Sequence, residues 1–248
     1  MSGSGVQVER RGAVTTLRLS SPVAQAALDL QTAIELHARL DQLEADDELR
    51  ALVVVFAGAE PSSMQPAQDA IQATAAAVER LGRFTRPVLA AIEGSAFGVA
   101  LELALACDLR VGRRDASFGL PGIARGAMPY AGATQRLPRL VGMARALDLV
   151  LTGEAVEAGE ARRIGLVQRL ADGAEALPAA LTVAEAIARA APASMRLTKE
   201  ALHQGIDMTL AQGLRMELDL YLLLFSTQDR VEGIQAFRNK RPPRFTGS

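Results

Sequence analysis

One cysteine, two histidines and almost no net charge set the first limits on this 248-residue chain. Cys107 lies within the apolar run LELALACDLRV, so an internal disulfide and a cysteine-based metal cluster are both excluded, and a packing role is expected. His37 and His203 stand on separate helical stretches without metal-ligand spacing, which reads as structural or exposed histidine and gives no bound metal. Lys and Arg number 27 against 28 Asp and Glu, a formal charge of -1. No global field therefore recruits nucleic acid or an anionic membrane surface. No apolar stretch reaches membrane-spanning length, and the N-terminal MSGSGVQVERRG is small and polar where a secretory leader needs an apolar core, so a cytoplasmic protein is expected. Low-complexity linkers and fixed-period repeats are missing too. GSAFG lacks the G-x-S-x-G pattern and the dinucleotide fingerprint fails, which excludes a serine hydrolase and a Rossmann enzyme.

What is present is a chain near the upper end of what one hydrophobic core supports. VQVERRGAVTTLRLS alternates around Gly12 and predicts two short strands with a turn. The mixed three- and four-residue spacing of Leu28, Ile34, Leu36, Leu40 and Leu43 predicts an amphipathic helix. RALVVVFAG is a short β-branched run that reads as a buried strand and RPVLAAIEG reads as another, with a helix between them ending near Gly82. SAFGVALELALACDLRVG reads as a glycine turn, a helix through Ala106 and a strand around Leu109 to Val111, an α/β crossover layout. Residues 118–142 read as a loop strict in glycine and proline. Beyond it, ARALDLVLTGEAVEAGEARRIGLVQRL predicts two short helices about a Thr-Gly turn and a strand from Leu166 to Leu170. Helices then take over: 181–190, 194–204, 209–225 and a short one near 230–237.

Four stretches in order, AAIEGSAFGVALELALACDLRV, ASFGLPGIARGAMPYAGATQRLPRLVG, LTGEAVEAGEARRIGLV and KRPPRF, carry a resemblance to the enoyl-CoA hydratase/isomerase (crotonase) family over nearly the whole chain. The resemblance implies an α/β fold built as a spiral of β-β-α units over residues 1–177. It also implies a helical C-terminal region over 178–248 that builds trimers, often paired into hexamers. The implied substrate is an acyl-CoA thioester, with CoA arriving as part of the substrate and no separate cofactor. Such chemistry turns a thioester carbonyl into an enolate-like oxyanion, which asks for two backbone N–H donors and for carboxylates that move the proton or hold water.

Carried over residue by residue, the resemblance makes Glu102 the general acid/base; position alone would read it as a first-turn acid complementing the helix dipole. One oxyanion donor falls at Val99, next to Gly98 in the turn that opens the helix. The other falls at Met64 or Gln65, beside Pro66, which has no N–H to give. The family's second glutamate follows the proline of FG-x-P, where this chain has Gly122, so a two-carboxylate water clamp is not expected and Gly122 reads as a permissive turn residue. Tyr130 replaces a small residue and reads as a phenolic donor or water anchor, or as packing against substrate or core. Ala24 marks the early CoA-phosphate stretch without its usual basic residues. Phe237 and Lys240 match positions that contact the CoA nucleotide from a neighbouring subunit; the commoner reading of such a basic run is a solvated tail. The expected function is hydration, dehydration or double-bond isomerisation by one glutamate. The alternative is a homologue that binds acyl thioesters, or assembles, without turnover.

Overall fold

The computed structural model describes residues 5–19, 28–57 and 66–247. β1 (Val6–Arg11) and β2 (Val14–Leu19) form the expected antiparallel hairpin, with Val6 opposite Leu19 and Arg11 opposite Val14. From β2 onward the pairing is parallel, through β3 (Ala51–Ala57), β4 (Val88–Glu93), β6 (Leu109–Gly112) and β9 (Arg169–Leu170). The sheet order is β1-β2-β3-β4-β6-β9. A smaller sheet joins β5 (Ala96–Phe97), β7 (Ser117–Gly119) and β8 (Val156–Glu157). Parallel neighbours require crossovers, and α1 (Leu30–Glu44), α2 (Gln68–Gly82) and α3 (Val99–Ala106) supply those that join β2, β3, β4 and β6.

Both faces of the large sheet are covered, which is why its strands read as unbroken apolar runs. Leu52, Val54, Phe56, Val88, Ala90 and Ile92 pack toward the face shared with Leu36, Leu40, Val78, Leu81, Leu101 and Leu105 of α1 to α3. The alternate residues Ala51, Val53, Val55, Leu89 and Ala91 meet Ala180, Leu181, Val183 and Ala184 of α7 (Leu177–Ala188). In α1 the buried set is Thr32, Ala33, Leu36 and Leu40, not Ile34. At 100° per residue, Ile34 lies off the stripe that Ala33, Leu36 and Leu40 define, and it is exposed.

Two stretches depart from the sequence expectation. The strand placed at 166–170 is only Arg169–Leu170, because the Leu166 carbonyl accepts from Arg110 Nε at 2.8 Å instead of joining a ladder. The stretch read as a loop contains β7, a 3-10 turn at Pro121–Arg125 and α4 (Ala133–Val141). Pro138 lies inside α4 and removes one helical donor without ending the helix. α5 (Met143–Thr152) and α6 (Ala158–Arg163) follow, then α7, α8 (Pro192–Gly205), α9 (Leu210–Leu223) and α10 (Gln228–Arg238).

α8 is fixed to the sheet through Asp108. Its carboxylate accepts from Lys199 Nζ at 2.6 Å and from the Val88 N–H at 2.7 Å, and it lies 2.9 Å from His203 Nε2. His203 therefore serves a structural pair, and half-exposed His37 lies 3.7 Å from Asp41. Among the described residues no group of three His, Cys, Asp or Glu is placed to hold a metal ion, and no helix is long and apolar enough to cross a membrane.

Candidate active site

The site is organised by the first turn of α3. Gly98 caps this helix at φ 55°, ψ -124°, a conformation that a Cβ strongly disfavours. Its own N–H donates to the Gly119 carbonyl at 3.0 Å, tying the helix start to the end of β7. The next amide, Val99 N–H, has no acceptor among the described residues. It is an unpaired donor at the positive end of a helix, where a developing oxyanion is stabilised.

Glu102 follows within the same turn and is 1% exposed. Its Oε1 accepts from the Ala131 N–H at 2.8 Å and the Ala133 N–H at 3.0 Å. Burial pushes the carboxyl pKa above its ordinary 4.5, against the pull of the Ala133, Ala131 and Tyr130 backbone N–H groups and of the Arg136 charge. A carboxyl that is desolvated yet held by donors is suited to taking up and returning a proton.

Tyr130 lies beside it, half-buried against the core. Its phenol is pushed up to about 12, by burial first and the Glu102 charge second. The buried Thr74 hydroxyl of α2 opposes that rise from nearby, although it has no partner of ordinary hydrogen-bond geometry among the described residues. At neutral pH the phenol is protonated, so it can donate and cannot act as a base.

Gly122 corrects the sequence reading. Its φ is not in the left-handed region, so glycine is not required there for conformational freedom. A Cβ at this position would instead meet the Ala127 carbonyl oxygen at 3.2 Å, where Gly122 O and the Ala127 N–H close the turn at 3.0 Å. A side chain at Gly122 would press on this tight backbone closure.

The structure thus brings together Gly98, Val99, Glu102 and Tyr130. Met64, Gln65 and Ala24 lie outside the described residues. Phe237, 86% exposed on α10, and Lys240 beyond it make no hydrogen bond or ion pair to the Glu102 cluster. Sequence reasoning missed Arg136, whose only trace was its place four residues after Gly132 in a helix that was read as loop. A cavity of about 720 Å³ between α10 and the C-terminal tail shares no lining residue with the site. Its carboxylates are already committed, Asp229 to the Thr246 and Gly247 N–H groups and Glu232 to Arg241.

Comparison with known proteins identifies the family and the fold. A sequence model described as enoyl-CoA hydratase/isomerase matches residues 9–248. The 2,3-dehydroadipyl-CoA hydratase of Escherichia coli (strain K12) is 38% identical over 251 residues, covering 97% of this chain and 98% of its own. The mitochondrial enoyl-CoA hydratase domain-containing protein 2 of Mus musculus is 37% identical, covering 94% of this chain and 84% of its own. The crystal structure of enoyl-CoA hydratase from Bacillus anthracis superposes with a TM-score of 0.93 at 34% identity, over 98% of this chain and 100% of that one. The chain belongs to the enoyl-CoA hydratase/isomerase family and has the crotonase fold.

Proposed function

We propose that the protein turns over an α,β-unsaturated acyl-CoA thioester, with Glu102 as its one general acid/base. The observation that carries this reading is the buried Glu102 carboxylate held by two backbone N–H groups, within one turn of the unpaired Val99 N–H. The thioester oxygen accepts from Val99 and from a second donor at Met64 or Gln65. In hydration, water forms its C–O bond at the β carbon, the π electrons move to the thioester oxygen, and Glu102 takes the water's proton. As the enolate collapses, that proton goes to the α carbon; dehydration reverses each step. In a double-bond shift, Glu102 carries a proton between the α and γ carbons instead. With Gly122 where a second carboxylate would stand, both halves of either transfer fall to Glu102, and the Tyr130 phenol can only anchor water or substrate. A homologue that binds thioesters without turnover has no support in the relatives matched.

These reactions are redox-neutral, so the reading needs no cofactor beyond the CoA of the substrate; a cytoplasmic location is part of the proposal. It also makes α8 to α10 an oligomerisation region. Leu210, Leu214, Leu218 and Leu222 recur every four residues on one side of α9 and are all exposed, as are Leu202 and Ile206 on α8. An apolar surface of that extent marks an interface between subunits, as a trimer or hexamer requires. Phe237 and Lys240 would then reach the CoA nucleotide of a neighbouring protomer, and Ala24 would leave the CoA phosphates without a basic partner there. The test is a panel of enoyl-CoA thioesters, including 2,3-dehydroadipyl-CoA, followed by loss of the conjugated thioester absorbance. Binding without loss or migration of the double bond on any member would overturn the reading.

A further inference from the structure

We propose that Arg136 is a positioning residue for this site, which holds the turn that cradles Glu102 and supplies the cationic charge facing its carboxylate. The inference rests on the reading of Glu102 as the proton carrier. Arg136 lies on α4, and its Nη1 donates to the Ala131 carbonyl at 3.0 Å. Ala131 is also the residue whose N–H donates to Glu102 Oε1 at 2.8 Å, so one residue links the guanidinium to the carboxylate.

The guanidinium reaches that place by passing between two glycines. A Cβ on Gly132, which has φ 110°, would lie 2.1 Å from Nη1, and a Cβ on Gly82, the last residue of α2, would lie 2.8 Å from Nη2. Any side chain at Gly132 would force the arginine out, and one at Gly82 would push on its tip. The chain thus leaves side chains off two separate elements along the path of one cation.

That cation is held at a cost in desolvation. Arg136 is half-buried and makes no ion pair among the described residues, and burial lowers its pKa against the opposing charges of Glu102, Glu79 and Cys107. Glu79 is already paired with Arg83 at 2.8 Å. The Cys107 thiol and the Tyr130 phenol are each pushed up to about 12 and are neutral at physiological pH. Among the described residues, Glu102 is therefore the unpaired acid that Arg136 serves, and Arg136 is the cation that favours the ionised form of Glu102. Burial raises the Glu102 carboxyl, and the guanidinium charge opposes that rise alongside the Ala133, Ala131 and Tyr130 N–H groups, without a direct bond that would immobilise the carboxylate.

The experiment compares kcat/KM against pH for wild type, Arg136→Lys, Arg136→Gln and Glu102→Gln, with thermal melts to verify folding. Arg136→Gln removes the charge and leaves an uncharged amide donor on a shorter stem; Arg136→Lys keeps both the charge and N–H donors on a different geometry. Removing the cation leaves burial less opposed, so the acid limb of Arg136→Gln moves to higher pH. Below the wild-type midpoint it loses activity by roughly threefold or more beyond its plateau loss, while Arg136→Lys keeps the wild-type limb. An acid limb in Arg136→Gln that coincides with wild type, or one that shifts equally in Arg136→Lys, overturns the role assigned to the charge. Full activity in Glu102→Gln would instead sink the reading of Glu102. A carboxyl 13C titration, with the Glu102 signal identified by its loss in Glu102→Gln, reads the same shift without turnover. An unchanged midpoint in Arg136→Gln overturns the proposal there too.

Discussion

Replacing Glu102 by alanine and by glutamine separates what its carboxylate does for the fold from what it does for the reaction. Alanine leaves the Ala131 and Ala133 N–H groups without their acceptor in a position that is 1% exposed. An orphaned buried donor costs about 1–3 kcal/mol, so the pair costs about 2–6 kcal/mol. The loss of a carboxylate that burial disfavours offsets part of this. Glutamine keeps a carbonyl oxygen for both donors and cannot ionise. Because the Glu102 carboxyl is raised above 4.5, its stabilising contribution is fully present below that value and is lost as pH rises through the folded pKa. Urea unfolding at about pH 4 and about pH 7.5 should then show Glu102→Gln gaining on wild type as pH rises, with Glu102→Ala below Glu102→Gln at both. Both variants should lose turnover by about 10²–10⁴-fold. Equal stability of the alanine and glutamine variants at both pH values would refute the argument that this side chain holds the 130–133 turn.

Four further outcomes follow from the same structure. Gly98→Ala forces a Cβ into φ 55°, ψ -124° with nothing within 4 Å to clash, so backbone strain alone costs about 1–3 kcal/mol and the re-aimed Val99 N–H lowers turnover; wild-type melting and activity would contradict this. Burial would raise the Asp108 carboxyl, but His203, Lys199 and the Val88 N–H hold it below 3.8. Its contribution is thus present above 3.8 and lost as pH falls through the lowered pKa, and Asp108→Asn, which leaves a largely buried ammonium unpaired, should cost about 3 kcal/mol in urea at neutral pH, where a neutral substitution would speak against the latch. Leu218→Asp on the exposed side of α9 should lower the mass measured by light scattering toward that of a monomer; an unchanged mass would move the subunit interface elsewhere. Cys107, buried and raised to about 12, should resist thiol reagents until the protein unfolds, and rapid labelling of the native protein would contradict its burial.

The sheet was legible because β3 and β4 are buried on both faces and so declare themselves as short continuous apolar runs. α4 was not, since Gly132 and Pro138 are the residues that ordinarily mark a loop, and only tertiary packing of Ala133 and Leu137 makes the segment helical. Glu102 could be singled out through the motif around it, but its partners could not. Ala131 and Ala133 act through backbone N–H groups, about which side-chain identity says little. Arg136 acts through space left by two glycines 50 residues apart. Lys199 and His203 reach Asp108 across 91 and 95 residues, separations at which no local pattern operates. Gly122 was correctly seen to lack a carboxylate, while the reason glycine fits there, the Ala127 oxygen 3.2 Å from where a Cβ would stand, is visible only in three dimensions.

The most direct test of the central claim is solvent-deuterium incorporation into short-, medium- and aromatic-chain enoyl-CoA thioesters, read by mass spectrometry with wild type and Glu102→Gln in parallel. The account predicts deuterium at the α or γ carbon with wild type and loss of nearly all of it with Glu102→Gln, while the thioester remains bound. Equal incorporation by both proteins, or none by wild type across thioesters that it binds, would contradict it.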